Sequence, residues 1–294
     1  RALRQRGADH DPASHGRAFD YLRYAKPVVA ANLLYLALAL LNRSLVADRH
    51  GFAEAGQFSL AFDMGQRIIQ SLGVMLDVVL FQLAVRADAR HGGEMAQAQV
   101  ARNMGLAFAL LTPACVGLWL ALPSLEQIAV PGEFRGHFGR YFTLLLPGLL
   151  CFGLGVYAVA PIFQIARRTG PLILAALAAF GADLALLSML PQEPASIALA
   201  QTGAMGCGLL ALMLFALATP AQWPGLRDIL TPLLGAAAMV AALAPLREGS
   251  PGALTLCLQV SSGVAIYIAI LWAFDACSLR TAARALWRER VKDA

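Results

Sequence analysis

Charge is what this chain has least of. Asp, Glu, Lys and Arg make up 14% of its 294 residues, while 59% are hydrophobic and the mean hydropathy is +0.63. Soluble domains carry roughly a quarter charged residues, so a water-exposed globule of this size is excluded and a membrane protein is indicated. The strict apolar/polar alternation of a membrane β-barrel is also missing, which leaves helices as the spanning element, because each satisfies its own backbone hydrogen bonds in lipid. Catalytic and metal signatures are equally scarce. His10, His15, His50, His91 and His137 all lie in polar connections, none with a second His or a carboxylate at ligand spacing. The phosphate loop GxxxxGK[ST] and the nucleophile elbow GxSxG do not occur. The longest predicted external connection, "PSLEQIAVPGEFRGHFGR", has only about eighteen residues, short for an active-site domain. No enzyme, cofactor or metal site is therefore expected. Cys115, Cys151, Cys207, Cys257 and Cys277 fall in or beside apolar segments and read as small core residues, not as disulfides or ligands. The opening "RALRQRGADHDPASHGR" lacks the apolar centre of a signal peptide and begins without Met, so the sequence is expected to be a fragment or truncated product.

What the chain does have is apolar runs of membrane-spanning length. Eight spans are predicted, near 27–47, 57–85, 104–122, 141–166, 171–190, 195–218, 229–246 and 253–275. The fold class is all-α, a polytopic helical bundle in the lipid bilayer. The net charge of +5 is spread beside the spans, so it reads as a topology signal and not as a nucleic-acid surface. Residues 1–26, 86–102, 167–170, 219–228 and 276–294 hold seventeen Lys or Arg, against five at the opposite ends: Arg43, Arg49, Arg135, Arg140 and Arg247. This bias places both termini in the cytoplasm, and an even number of spans agrees.

Both flanks, "FDYLRYAKP" and "SLRTAARALWRERVKDA", mix basic and aromatic residues at helical spacing. They read either as interfacial helices on an anionic leaflet or as solvated tails. Pro113, Pro147, Pro161 and Pro232 fall at membrane depth, where each removes a backbone hydrogen bond; such interruptions are frequent in transporters and in membrane helices generally.

The second span, "GQFSLAFDMGQRIIQSLGVMLDVVLFQLAV", carries the chemistry. At about 100° per residue, Asp63, Gln70 and Asp77 lie within about 40° of one another, with Gln66 and Arg67 on either flank. Met64, Ile68, Leu72, Met75 and Leu76 form the opposite face. A charge at membrane centre costs at least about 2.5–3.5 kcal/mol, so this stripe is expected to face a bundle interior or a wet cavity. One reading makes Asp63 and Arg67 an i,i+4 ion pair that only neutralises itself. The other makes Arg67 the attractor of an anionic substrate, with Asp63 or Asp77 available to a proton or cation. Asn32 and Asp183 are further intramembrane polar groups, ordinarily interhelical hydrogen-bonders.

The stretch "LNRSLVADRHGFAEAGQFSLA" at 41–61 resembles the segment joining the first two helices of the C-terminal lobe in polysaccharide and oligosaccharide flippases of the multidrug/oligosaccharidyl-lipid/polysaccharide exporter superfamily. Leu41, Arg43, Gly51, Ala53, Gly56 and Ala61 match in register. Phe58 stands for the usual Tyr, Ala55 for Val, Asn42 for a usual Asp, and Gln82 for a proline. The resemblance implies the C-terminal lobe of a two-lobed transporter plus two extra helices: a basic cytoplasmic linker at 1–26, a six-helix lobe at 27–218, two additional spans at 219–275 and a basic tail at 276–294. It further implies a lipid-linked glycan as substrate, polysaccharide biosynthesis at a bacterial inner membrane, a coupling proton or cation, and an N-terminal lobe supplied by the same or another chain. An exporter of drugs or metabolites from the same superfamily, a membrane glycosyltransferase or polymerase, and an inactive remnant are the rival readings. Within the resemblance, Arg43 reads as snorkelling at the end of its span, and Gly51 and Gly56 as permitting the reversal that follows.

Overall fold

The structure, a computed structural model, describes residues 12–91, 93–247 and 249–275, with side chains from 25–78, 95, 97–247 and 249–275. Among the described residues the secondary structure is helical throughout, as the apolar runs require. The helices are α1 (Pro12–His50), α2 (Phe52–His91), α3 (Gly93–Ala129), α4 (Arg135–Leu154), α5 (Ala160–Ile165), α6 (Gly170–Met189), α7 (Pro194–Leu217), α8 (Leu226–Arg247) and α9 (Ala253–Ala273). A 3₁₀ turn, Gly132–Phe134, precedes α4, and a π turn, Gly155–Val159, joins α4 to α5. The π turn has a local cause. Pro161 has no backbone N–H, and just before it the Ala160 N–H reaches back five residues to the Gly155 carbonyl instead of four.

The first three helices extend well past the predicted spans. Apolar runs mark only the part needing a hydrocarbon environment, while helical hydrogen bonding continues into polar ends. The clearest case is the first reversal. Asp48, Arg49 and His50 complete the last turn of α1 and Glu54 sits in the first turn of α2, so the expected polar loop shrinks to one residue, Gly51. Gly51 has φ +89°, a conformation glycine adopts without strain. Gly56 does not serve the turn as expected. It lies inside α2 with the Phe134 ring against it, where a Cβ would stand 3.1 Å from Cε1.

Among the described residues, seven segments are long and apolar enough to cross a membrane: Ala25–His50, Gln97–Ala129, Gly132–Ile165, Gly170–Met189, Pro194–Leu217, Leu226–Arg247 and Ala253–Ala273. The eighth predicted span, in α2, continues beyond the residues whose side chains are described, and its described part carries Asp63, Arg67 and Asp77. Even so, α2 runs between the same two ends as its neighbours. At the Gly51 end, the His50 ring meets the Gln192 carbonyl at 2.8 Å, Glu54 accepts hydrogen bonds from the His137 ring (2.8 Å) and the Tyr141 hydroxyl, and the Gly252 N–H reaches Ser124 Oγ. At the other end, the beginning of α3, the end of α5 and the start of the α7–α8 connection meet around one cavity. The helices thus alternate in direction.

The main core lies between α2, α3, α4 and α7, where Phe58, Phe62, Phe138, Phe142, Leu145 and Leu149 are nearly or fully buried. Helices α6 and α7 pack closely, with Ala179 and Ala204 fully buried in one cluster, a small-residue contact typical of helix pairs in lipid. Helices α8 and α9 form a smaller cluster on α3 built from Leu120, Met239, Leu243, Tyr267 and Leu271. It is fastened by the Arg247 guanidinium 3.7 Å from the Trp119 ring centroid.

Candidate functional site

A cavity of about 450 Å³ opens between α1, α2, the α4–π turn segment and α7. Its lining joins polar Asn32, Tyr35, Gln66, Gln70 and Tyr157 to apolar Leu36, Leu40, Phe62 and Met205, and among the described residues its charged lining consists of Arg43 and Asp63. These form an ion pair across the α1–α2 hairpin. Both are partly open to the cavity, with side-chain exposures of 26% and 40%. The Arg43 guanidinium also lies 5.1 Å from the Phe62 ring centroid, while its Nε is buried with no partner. A guanidinium has five N–H donors, and only one nitrogen is engaged by Asp63. An anionic group entering the cavity therefore meets a cation held in place by an aromatic face, with donors to spare.

The predicted stripe on α2 divides. Asp63, Gln66 and Gln70 line the cavity, as does Asn32 from α1. Arg67 does not. It is exposed and outside the lining, because the cavity sits on the Gln66–Gln70 flank and Arg67 lies on the other side of Asp63. The i,i+4 pair expected between Asp63 and Arg67 is replaced by the pair with Arg43. Asp77 is exposed and lies seven residues, about 10 Å, beyond Gln70 along the helix, past the point where Tyr157 closes the cavity. There, Gly73 provides the notch for the Tyr157 ring, since a Cβ on Gly73 would lie 2.1 Å from Tyr157 Cε2.

A second polar group joins helices far apart in the sequence. Asn42 donates to Asp183 at 3.1 Å, joining α1 to α6, and both are fully buried. One turn toward the other end, Leu38, Ala179 and Ala204 pack together, so the register puts Gln201 of α7 in the same layer as Asn42 and Asp183. Asn42 Oδ1, Asp183 Oδ2 and both amide atoms of Gln201 are buried with no partner. The sequence held one usable signal for the first pair: Gly51 makes α1 and α2 an antiparallel hairpin, with Arg43 eight residues before the pivot and Asp63 twelve after it. No comparable signal links Asn42 to Asp183, 141 residues away.

No protein-family model matches the sequence, and no curated protein matches it. A solved structure of the lipid II flippase MurJ in an inward closed conformation is similar to this chain, with a TM-score of 0.64 at 16% identity. The chain shares the fold of the matched part of that structure. The match covers 82% of this chain and 52% of the MurJ chain, so this chain spans about half the length of that structure. The all-helical multi-pass architecture expected from the sequence is the one observed.

Proposed function

We propose that this chain forms part of a transporter that moves a lipid-linked oligosaccharide across a bacterial inner membrane during surface polysaccharide biosynthesis, with both termini cytoplasmic. The observation that carries this reading is the cavity around Arg43. A pyrophosphate-linked glycan needs a cation for its headgroup, neutral hydrogen-bonding groups for its sugars and an apolar wall beside the lipid. Arg43, the side chains of Asn32, Gln66 and Gln70, and the Leu36–Leu40 edge of α1 offer these in one place. The fold shared with that flippase structure supports the same reading.

In this proposal the six-helix lobe is 27–218, with α8 and α9 added to it, and the facing wall of the pathway comes from a second lobe of the same or another chain. The coupling ion, a proton or a cation, falls to the carboxylates of Asp63 and Asp183. Asp77 and Arg67 stand outside the cavity and have no direct part. The test is Arg43→Ala in the full-length protein. Loss of one charge-assisted contact of about 1.5–3 kcal/mol corresponds to roughly ten- to a hundredfold weaker binding, and surface glycan is expected to fall accordingly at unchanged protein level. Normal glycan at normal protein level would sink the proposal.

A further inference from the structure

Away from the Arg43 cavity, at the opposite end of the bundle from Gly51, a second cavity of about 330 Å³ lies between the start of α3, the end of α5 and the α7–α8 connection. Its deep wall is apolar: Val100 and Phe163 are buried, and Ile162 and Ile165 continue it outward. Its rim is polar, formed by Gln97, Arg168, Thr219 and Gln222. The cavity is thus amphiphilic along its depth, at the level where the membrane-spanning segments end.

Among the described residues, Arg168 is the one charged residue lining this cavity, and no described carboxylate lines it. Its guanidinium is exposed, and no ion pair or hydrogen bond to a described residue engages it. The neighbouring Arg167 has φ +54°, a left-handed conformation that glycine would hold without strain. This conformation closes the end of α5, with the Arg168 N–H bonded to the Phe163 carbonyl at 2.9 Å, and so sets Arg168 at the cavity mouth. Exposed Lys26 in α1, Arg102 in α3 and Arg227 at the start of α8 lie toward the same end as Asp228 and Asp275, so among the described residues the charge at this end is net positive. The Thr219 hydroxyl already donates to the Ala216 carbonyl, which leaves the guanidinium and the amides of Gln97 and Gln222 as the donors at the rim.

An unpaired cation with neutral donors above an apolar pocket, at the depth of the lipid headgroups, matches one chemistry. We propose that this cavity binds an anionic glycerophospholipid of the surrounding leaflet. Arg168 holds the phosphate, Gln97 and Gln222 support it, and the glycerol and first acyl carbons lie against Ile162, Ile165 and Phe163. Such a lipid would bridge α3 and α5 to the connection that leads into α8. The inference rests on the membrane-spanning fold and is independent of what the Arg43 cavity transports.

The experiment uses the full-length protein, delipidated in neutral detergent and titrated with phosphatidylglycerol or with phosphatidylcholine of the same acyl chains. Bound lipid is counted by native mass spectrometry, and thermal unfolding is followed in parallel. The expected result is saturable phosphatidylglycerol binding at least tenfold tighter than phosphatidylcholine, weakened about tenfold by Arg168→Gln and unchanged by Arg102→Gln, which alters a charge at the same end but off the cavity. Arg168→Lys keeps the charge and is expected to keep the preference for phosphatidylglycerol. Gln222→Ala, an exposed change with little scope to disturb folding, is expected to weaken binding several-fold even if Arg168→Gln fails to fold. Equal binding of the two lipids, or unchanged phosphatidylglycerol binding in both Arg168→Gln and Gln222→Ala, would overturn the proposal. So would soluble glycerol phosphate binding as tightly as the lipid, because the apolar wall would then have no part.

Discussion

Arg43 and Asp63 act as a unit. With Asp63 ionised, the cavity lining carries no net charge, and an incoming anion has to compete with a carboxylate already seated on the guanidinium. Asp63→Asn removes the competitor and leaves the cation, so binding of a pyrophosphate-bearing isoprenoid lipid should tighten several-fold, whereas Arg43→Ala weakens it; equilibrium binding to the purified protein distinguishes the two. Were Asp63 itself a ligand for the substrate, Asp63→Asn would weaken binding instead. The buried pair Asn42–Asp183 makes a different prediction. Asn42→Ala leaves a fully buried carboxylate without its donor, at a cost of about 1–3 kcal/mol, readable as a lowered unfolding temperature. The sequence showed that α2 carried the polar face but misassigned the partner, because helical periodicity reports only neighbours on one helix. Arg67 is four residues from Asp63 on a helical wheel, yet Arg43 reaches the same carboxylate from α1.

The helices are held in register by interlocks that their apolar composition does not reveal. Tyr157 on the π turn fills the notch at Gly73, so Gly73→Ala drives a methyl into the ring. Overpacking of this kind costs about 1–3 kcal/mol, and Tyr157→Ala in the same chain should relieve most of it, a coupling that a double-mutant cycle measures directly. At the Gly51 end, Glu54 ties α2 to α4. Partial burial alone would raise its pKa, but hydrogen bonds from Tyr141 and His137, with the nearby His137 and His50 charges, hold it below its ordinary value of 4.5. A carboxyl with a depressed folded-state pKa stabilises the fold above its ordinary value and loses that contribution as pH falls through the lower one. Unfolding temperature should therefore drop as pH is lowered from about 4.5, and Glu54→Gln should flatten that part of the profile; the same slope in both proteins would dissociate Glu54 from it. Helix identity was legible from apolar length: each of the eight predicted spans falls on a helix, and among the described residues seven segments have membrane-spanning length and hydropathy. Helix ends were not, since polar residues such as Asp48, Arg49 and Glu54 continue helices that the hydropathy pattern stops short of.

Across the whole molecule, the cavity lies between α1, α2, the α4–π turn segment and α7, while α8 and α9 pack on α3. Exposed Val29, Leu33, Leu36 and Leu40 continue the same side of α1, which fits a pathway completed by a second lobe. Basic bias and helix direction make one further prediction: a cysteine placed at Asp48 should react with an impermeant maleimide added outside intact cells, and one at Arg168 only after permeabilisation. The reverse pattern would invert the topology. The most direct measurement of the central claim is transport itself. Full-length protein reconstituted into liposomes with a fluorescent lipid-linked oligosaccharide should move the label between leaflets, and Arg43→Ala, at equal reconstitution, should slow that movement about tenfold or more. Movement at the parent rate in Arg43→Ala would contradict the account.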